Sequence, residues 1–254
     1  MIELNSISFS YGEKTVISNL SATFRPGTFY GIVGPNGCGK TTLIRLLCRL
    51  EKTTEGTILL NQIPYESFSR NQFAKQVSLL PQSRSLPSIT VEDLVSRGRY
   101  PYLGLTRRMT NADRKAVQKA LTDVGTDMLA PREINSLSGG ERQRVCLAML
   151  LAQDTPYVFL DEPTTYLDIA HRFSLLEQLK SLKEQGKCVV AVLHDLSLAL
   201  RYCDQIAVLD GGSFCAFDSP ENLLSSGVLE QVFGVRCFPV EADGKNDVIF
   251  HPIK

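Results

Sequence analysis

The segment Gly34-Pro-Asn-Gly-Cys-Gly-Lys-Thr-Thr42 has three glycines followed by a lysine and two threonines. It follows the apolar run 29–33 and precedes residues 43–50, whose leucine and isoleucine positions have helical spacing. A strand, a glycine-rich turn and a helix in this order are the context that a phosphate-binding loop requires. The glycines let backbone N–H groups converge on phosphate oxygens, Lys40 supplies a full positive charge, and the Thr41 hydroxyl can bind Mg²⁺. The pattern therefore predicts a phosphate-binding loop and disfavours the alternative, a glycine-rich turn with an exposed lysine.

Apolar segments elsewhere in the chain predict two kinds of strand. From Ile2 to Phe24, short segments alternate apolar and polar residues, which is typical of antiparallel strands with one buried face. The continuous apolar runs 29–33, 157–160 and 188–193 are instead typical of parallel strands that helices cover on both sides. Residues 206–209 would add a further strand. These segments predict an α/β core.

The stretch between Gln82 and Leu137 carries helix signals instead. Its segments Thr90-Val-Glu-Asp93 and Thr110-Asn-Ala-Asp113 both match the Ser/Thr-x-x-acid pattern of a helix start. The second start leads into one helical stripe, formed by Val117, Ala120, Leu121 and Val124. We therefore expect a small helical lobe inserted into the α/β core.

We divide the chain into one domain with three parts. The nucleotide-binding core comprises residues 1–82 and 136–220, and the helical lobe comprises residues 83–135. Residues 221–254 form a C-terminal tail with a helix and a hairpin, which we place around the turn Asp243-Gly244.

Composition excludes several other classes of protein. Lys plus Arg and Asp plus Glu each count 27, so the formal charge is zero and no attraction to nucleic acid is expected. The N-terminus lacks a signal-peptide pattern, and the apolar runs are too short to span a bilayer, so we expect a cytoplasmic chain. The seven cysteines include no Cys-x-x-Cys pair, which favours free thiols over a metal site.

The pair Asp161-Glu162 stands at the end of a predicted buried strand. Ligands of parallel sheets bind at this edge, so Asp161 is suited to hold Mg²⁺ and Glu162 to polarise the water that attacks a γ-phosphate. Alone, the pair could equally mark a strand exit with a solvated helix start. The upstream phosphate-binding loop favours the catalytic interpretation.

A second helix start suited to anions is Leu137-Ser-Gly-Gly-Glu141, which precedes a helix-periodic segment. One nucleotide already has its phosphate loop, so a second such start makes sense if it faces a nucleotide bound by another copy of the chain. The alternative is an ordinary Ser-capped helix.

These motifs give the whole chain a resemblance to the ATPases of ABC transporters. The family's motifs occur here in order: the loop 34–42, Gln82 in Leu-Leu-Pro-Gln, the signature 137–141, Asp161-Glu162, Leu167-Asp168, and His194 in Leu-His-Asp. A phosphate loop alone would also admit kinases and GTPases. The resemblance implies a P-loop NTPase of α/β class, with a RecA-like mixed sheet, an antiparallel β subdomain and an inserted α-helical lobe.

The resemblance also implies three overlapping sets of site residues, with ATP and Mg²⁺ as the cofactors. The catalytic set is Glu162, His194, Gln82 and Lys40. The nucleotide-binding set is Tyr11, Gly34, Pro35, Asn36, Gly37, Cys38, Gly39, Lys40, Thr41, Thr42, Ser138, Gly139 and Gly140. The metal-binding set is Thr41, Gln82 and Asp161.

Individual roles follow from the same resemblance. Tyr11 would stack on adenine, Gln82 would sense Mg²⁺ and the attacking water, and His194 would contact the γ-phosphate. Asp168 would communicate across a dimer, and Ser138 with its glycines would complete the site of the opposite subunit. For two of these residues a purely structural role stays open. Tyr11 could be a packing aromatic, and His194 could be a histidine at the end of a strand.

Two positions depart from the commonest family pattern. Glu141 replaces the usual glutamine of the signature, and an acid there should be favoured by the dipole of the helix it starts. Cys38 stands where serine or alanine is more frequent. We expect the electropositive loop to lower the pKa of the Cys38 thiol, so that an alkylating reagent inactivates the enzyme unless ATP protects it.

The segments Asp161–Ile169 and Ser96–Tyr102 resemble importers of ferric siderophores, haem and cobalamin. That group implies a homodimer at the cytoplasmic face of the membrane, two permease subunits, and an extracytoplasmic solute-binding protein that acts indirectly. A groove near Gln82 to Tyr102 would accept the permease. Alternatively, Arg97, Arg99, Tyr100 and Tyr102 are a solvated helix end with packing aromatics.

We therefore expect a transport-coupled ATP hydrolase that powers the import of an iron complex or cobalamin. The rival class is a soluble ABC ATPase of iron-sulfur cluster assembly, which has similar length and motifs. A chromosome-organising ATPase would need a long coiled coil between Gln82 and Leu137, where no heptad pattern occurs. The residues themselves indicate neither the solute nor the direction of transport.

Overall fold

The computed structural model describes residues 1–82, 87–104, 107–165, 167–242 and 245–253. Its strands are β1 (Ile2–Tyr11), β2 (Lys14–Phe24), β3 (Phe29–Val33), β4 (Glu55–Leu60), β5 (Ile63–Pro64), β6 (Val77–Leu80), β7 (Tyr157–Asp161), β8 (Cys188–Val192), β9 (Gln205–Asp210), β10 (Ser213–Asp218), β11 (Val235–Ala242) and β12 (Lys245–Pro252).

The α-helices are α1 (Lys40–Leu47), α2 (Arg70–Ala74), α3 (Val91–Ser96), α4 (Asn111–Asp123), α5 (Gly139–Gln153), α6 (Ile169–Glu184), α7 (Leu196–Tyr202), α8 (Pro220–Ser226) and α9 (Val228–Phe233). Short 3₁₀ helices cover Tyr65–Ser67, Arg97–Tyr102, Asp127–Leu129 and Ile134–Ser136. The chain divides into two compact units, Met1–Ser67 with Gln178–Lys254 and Phe68–Glu177.

The first unit contains an antiparallel sheet with the strand order β2-β1-β4-β5. Strand β1 buries Ile2 and Leu4 and, beyond a register shift between Leu4 and Ile7, also Ile7 and Phe9. Burial of such a side chain stabilises the fold by about 1.5–3 kcal/mol, which fixes the face that β1 turns to the core. The predicted antiparallel strands between Ile2 and Phe24 are confirmed.

A mixed sheet in the same unit has the order β10-β9-β3-β8. Strand β3 is parallel to both β8 and β9, whereas β10 is antiparallel to β9. All residues of β3 and β8 are buried, which explains why their sequences are continuous apolar runs. In the second unit β6 is parallel to β7. The predicted parallel strands are therefore confirmed.

Helices α3 and α4 of the second unit begin where the sequence predicted. The hydroxyls of Thr90 and Thr110 accept hydrogen bonds from the backbone N–H groups of Asp93 and Asp113, each at 3.2 Å. A cap of this kind contributes about 1 kcal/mol to helix stability. The stripe predicted on α4 is buried, as expected for its core-facing side: Val117, Ala120, Leu121 and Val124.

A buried ion pair joins the 3₁₀ helix Arg97–Tyr102 to α4. Arg99 Nε lies 3.0 Å from Asp113 Oδ1, and the two side chains are only 12% and 6% exposed. Arg99 also donates to the Ala152 carbonyl oxygen at 2.9 Å, and its guanidinium carbon lies 3.9 Å from the Tyr102 ring centroid. Removing one partner of a buried pair costs about 3–5 kcal/mol. Arg99 and Tyr102 thus pack inside the second unit.

The close approach of Gly98 to α5 gives the first prediction. A Cβ at Gly98 would overlap the Met149 carbonyl oxygen and come within 3.0 Å of the Gln153 nitrogen. Because backbone atoms cannot yield easily, Gly98→Ala is expected to lower the free energy of unfolding by about 1–3 kcal/mol. The matched control is Gly104→Ala, since a Cβ there meets no described heavy atom within 4 Å. Equal denaturant midpoints for the two variants would contradict the prediction.

The C-terminal segment contains the predicted helix and hairpin strands. Strands β11 and β12 pair antiparallel, with Phe238 opposite Ile249. Asp243-Gly244, the predicted turn, lies outside the described residues. The hairpin is tied to α7 by a hydrogen bond from the Ser197 hydroxyl to the Val248 carbonyl oxygen. Within the described part of the chain, no helix has both the length and the apolar character needed to cross a bilayer.

Candidate active site

The loop between β3 and α1 has the backbone that its glycines permit. Gly39 precedes α1 with a φ of 108°, and a Cβ there would lie 2.9 Å from Ile17 Cδ1 and 3.0 Å from the Val16 oxygen. A Cβ at Gly34 would overlap the Leu209 carbonyl oxygen. Only glycine can adopt these backbone angles and also fit beside the neighbouring atoms, because other residues rarely adopt such angles and their Cβ would have no room.

Lys40 occupies the first position of α1, and its side chain is buried under the loop. Its ammonium donates to the carbonyl oxygens of Gly34 and Pro35, each at 2.8 Å. These two bonds hold the positive charge at the start of a helix, where backbone N–H groups are also unpaired within the helix. The arrangement suits a phosphate group, as the sequence predicted for this loop.

Cys38 does not have the lowered pKa that the sequence predicted. The thiol is buried, and its desolvation raises the pKa of Cys38. The Lys40 ammonium, 3.9 Å from the Cys38 sulfur, acts in the opposite direction but has the smaller effect. The expectation of an activated thiol is therefore wrong, because it counted the positive charge of the loop and not the loss of water around the sulfur.

A second prediction concerns thiol reactivity. Since a buried neutral thiol is a poor nucleophile, iodoacetamide at neutral pH is expected to modify the exposed Cys215 at least about 10-fold faster than Cys38. Mass spectrometry of peptides from a timed reaction measures both rates, and Cys38→Ala identifies the loop peptide. Faster modification of Cys38 that ATP suppresses would contradict this result.

Two further predicted site residues lie in the first unit. Ile32 of β3 pairs with Val192 of β8, and His194 follows β8 by two residues, as Gly34 follows Ile32. The structure therefore places His194, which is exposed, at the same sheet edge as the phosphate loop. Tyr11 ends β1 and is 48% exposed, which leaves its ring accessible for stacking.

In the second unit the register of β6 and β7 brings the predicted catalytic residues together. Leu80 of β6 pairs with Leu160 of β7, and Gln82 and Glu162 each stand two residues further along. Gln82 Nε2 donates to Glu162 Oε2 at 2.6 Å. Asp161, the last residue of β7, is buried. Gln82, Asp161 and Glu162 thus share one edge of this strand pair.

Glu162 has an unusual backbone conformation, with a φ of 52°. A positive φ costs a non-glycine residue about 1–3 kcal/mol, and at a strand end beside a buried carboxylate it agrees with a functional position. The Thr165 hydroxyl lies 3.4 Å from Glu162 Oε2 and helps to orient the carboxylate. Thr165 was not among the predicted site residues, although its hydroxyl stands three residues after a candidate base at a strand end.

The signature segment starts α5 with a complete capping box. The Ser138 backbone N–H and hydroxyl both donate to Glu141 Oε2 at 2.8 Å, and the Glu141 N–H donates back to the Ser138 oxygen at 3.3 Å. The two bonds from Ser138 lower the pKa of the Glu141 carboxyl. An acid therefore suits this position, as predicted. Ser138 and Gly139 are exposed at the helix start.

The segment Arg97–Tyr102 is partly structural and partly exposed. Whereas Arg99 and Tyr102 are packed, Tyr100 is 59% exposed. A cleft of 380 Å³ lies beside it, lined by Asn71, Tyr100, Leu103, Gly104 and Arg107. Part of the predicted groove, residues 83–86, and Tyr166 of the segment Asp161–Ile169 lie outside the described residues.

Each unit thus contains groups that fit a nucleotide. The first has a strand, a glycine loop and a helix with a buried ammonium at its first position. The second has the buried carboxylate of Asp161, and carboxylate oxygen is the ligand type that Mg²⁺ prefers. Together with the mixed sheet, these features define the P-loop class of nucleotide-binding proteins.

Residues 17–165 match the ABC transporter family. The chain is 40% identical over 237 residues to the ferric enterobactin transport ATP-binding protein FepC of Escherichia coli K12, covering 92% of this chain and 88% of FepC. The chain therefore belongs to the ABC transporter family, as its ATP-hydrolysing component.

Solved structures agree with this membership. A metal-chelate type ABC transporter in an inward-facing conformation superposes with a TM-score of 0.85 at 26% identity, covering 100% of this chain and 97% of that one. The dimeric structure of MJ0796, a bacterial ABC transporter cassette, gives a TM-score of 0.77 at 28% identity, covering 87% and 99%. The predicted fold class, a P-loop NTPase, is confirmed.

Proposed function

We propose that this ATPase powers the import of an iron complex, a siderophore or haem, or of cobalamin, across the cytoplasmic membrane. The observation that carries the proposal is its likeness over nearly the full length of FepC, a protein named for ferric enterobactin transport. The metal-chelate transporter among the solved structures supports the same class of solute. The chain would lie peripherally at the cytoplasmic face of the membrane, in contact with two permease subunits. An extracytoplasmic solute-binding protein would deliver the solute to these permease subunits.

The working form that we propose is a homodimer that encloses two ATP molecules. The exposed start of α5, with Ser138, Gly139 and Gly140, is a second anion-binding helix start in a chain that already has a phosphate loop. In a dimer, this start would complete the nucleotide site of the opposite subunit, and Asp168 would communicate between the two sites. The dimeric cassette MJ0796 supports this arrangement.

Within each site we assign the roles from the residues that suit them. Lys40 and the backbone N–H groups of 34–42 would bind phosphate oxygens, and the accessible ring of Tyr11 would stack on adenine. Glu162 would act as the general base on the attacking water, and His194 would contact the γ-phosphate. The hydrogen bond from Gln82 supports the assignment of Glu162, because it fixes the carboxylate direction.

Mg²⁺ would be held by oxygen ligands from Thr41, Gln82 and Asp161, and when bound it neutralises charge on the phosphates. Residues 83–135 would form the lobe that the permease contacts, inserted into a core of residues 1–82 and 136–220, with 221–254 as the tail. The exposed Tyr100 and the cleft beside it support a permease contact here. Arg99 and Tyr102 of the same segment instead pack within the second unit, as the alternative interpretation expects.

The experiment that tests the function is affinity purification of the tagged chain from gently solubilised native membranes, with mass spectrometry of the bound proteins. We expect a polytopic permease in about equimolar amount. The permease then identifies its solute-binding protein, whose affinity for ferric siderophore, haem and cobalamin can be measured directly. Reproducible capture of a soluble cluster-assembly scaffold instead of a permease would overturn the transport proposal.

A further inference from the structure

Two side chains of the second unit, Arg144 and His171, connect α5, the helix that the signature segment starts, to Asp168. Arg144 lies on α5, Asp168 directly precedes α6, and His171 lies in the first turn of α6. The backbone N–H and the ring Nδ1 of His171 contact Asp168 Oδ1 at 2.8 and 2.7 Å. On its other side, the ring Nε2 of His171 contacts Arg144 Nη1. The imidazole therefore bridges a cation and an anion.

The chemistry of the two neighbours selects one form of this imidazole. The guanidinium of Arg144 can only donate, so Nε2 of His171 must carry the lone pair that accepts from it. The proton of a neutral ring then lies on Nδ1, which donates to the acceptor Asp168 Oδ1. A doubly protonated ring could keep the bond to Asp168, but it would place an N–H and a second positive charge against Arg144.

Arg144 also interacts electrostatically with the carboxylates of Glu141 and Asp168. Its Nε is buried and has no hydrogen-bond partner among the described residues. Losing the bond to His171 would leave more of a partly buried guanidinium without a hydrogen-bond partner, which is costly. Arg172, the next charged residue of α6, donates from its Nε to the Leu167 carbonyl oxygen at 2.9 Å. Among the described residues, the charged groups in contact with the ring are Arg144 and Asp168, and Glu141 on α5 interacts electrostatically with Arg144.

We propose that His171 is a positioning residue for Asp168 that works only as the neutral Nδ1–H imidazole, and that its protonation uncouples Asp168 from the signature helix. Because Arg144 is four residues beyond Gly140 on α5, the neutral ring links the start of that helix to Asp168. The inference rests on the proposed role of Asp168 in communication across the homodimer. Acidification that protonates the ring would therefore break the link.

The first test observes the ring directly. The chain has 3 histidines, so ¹⁵N-histidine labelling with long-range ¹H–¹⁵N spectra gives few signals, and His194→Ala and His251→Ala variants assign them. At pH 8 we expect the His171 ring to carry its proton on Nδ1. In Arg144→Ala the requirement for a lone pair on Nε2 is removed, and we expect a mixture of tautomers. An Nε2–H ring in the unsubstituted chain would overturn the proposal.

The second test measures ATP turnover by the full-length chain as a function of pH. His171→Gln keeps an amide oxygen that can accept from Arg144 but cannot titrate in this range. From pH 8 to pH 6, kcat of the unsubstituted chain is expected to fall by about 3- to 10-fold more than kcat of His171→Gln. This is the size of effect expected when one charge-assisted hydrogen bond is lost, and KM should stay similar in the two proteins. His194 is present in both proteins, so its effect on the profile cancels in the comparison. Equal pH ratios would overturn the proposal.

Asp168→Asn separates this inference from the proposed function. If that variant loses turnover while His171→Gln behaves like the unsubstituted chain, only the linkage through His171 is wrong. If Asp168→Asn retains full turnover, the communicating role of Asp168 fails, and the inference fails with it. Thermal unfolding of each variant, expected within about 3 °C of the parent, confirms that turnover and not folding has changed.

Discussion

Glu162→Gln is expected to reduce ATP turnover by at least about 100-fold, the contribution of a general base, while ATP still binds with nearly unchanged affinity. The substitution conserves size, and the amide oxygen can still accept the 2.6 Å hydrogen bond from Gln82. The site would thus keep its shape and lose only its proton acceptor. ATP should therefore accumulate uncleaved and hold the dimer closed, which light scattering after gel filtration measures as a doubled mass.

The matched control is Glu184→Gln, because Glu184 is an exposed residue at the end of α6. It makes the same chemical change away from the site and should leave turnover within about 2-fold of the parent. Normal turnover by Glu162→Gln would remove Glu162 from its assigned role. Weak ATP binding by the same variant would instead indicate that the carboxylate shapes the binding site.

Lys40→Ala is expected to weaken ATP binding by roughly 10- to 150-fold, equivalent to about 1.5–3 kcal/mol for the loss of one charged hydrogen-bond donor. The ammonium is already fixed by the carbonyl oxygens of Gly34 and Pro35, so little entropy is lost when phosphate arrives. Titration calorimetry with ATP measures the change. Turnover falls as well, although saturating ATP should recover part of it.

Lys180→Ala serves as the control, since Lys180 is an exposed lysine of α6. Lys40→Ala also leaves two loop carbonyls without their donor, and a loss of stability of about 1–3 kcal/mol is expected from this cause. Unfolding curves recorded without nucleotide separate the two effects. Unchanged ATP affinity in a folded Lys40→Ala protein would contradict the proposed phosphate contact.

Local sequence patterns predict most of this fold because strand burial, helix capping and tight turns each depend on residues that are close together in the chain. The apolar runs 29–33 and 188–193 indicate strands buried on both faces, and Thr90 and Thr110 mark helix starts by their capping hydroxyls. The phosphate loop follows from glycines whose backbone angles other residues rarely adopt. In each of these cases the residues that carry the signal are adjacent in the chain.

Contacts between distant residues could not be predicted in the same way. The pairing of Arg99 with Asp113 depends on how a 3₁₀ helix packs on α4, and no spacing rule reports that geometry. The pKa of Cys38 was misjudged because charge is visible in a sequence whereas desolvation is visible only in a structure. The bond from Gln82 to Glu162 requires the register of two strands whose paired residues are 80 residues apart along the chain.

The positive φ of Glu162 has a consequence for laboratory evolution of this protein. Asparagine tolerates such angles better than glutamate, so Glu162→Asn would relieve backbone strain and shorten the side chain that carries the base. A screen that scores only heat resistance would therefore enrich inactive clones at this codon. Directed thermostabilisation of the cassette has to be coupled to an assay for phosphate release.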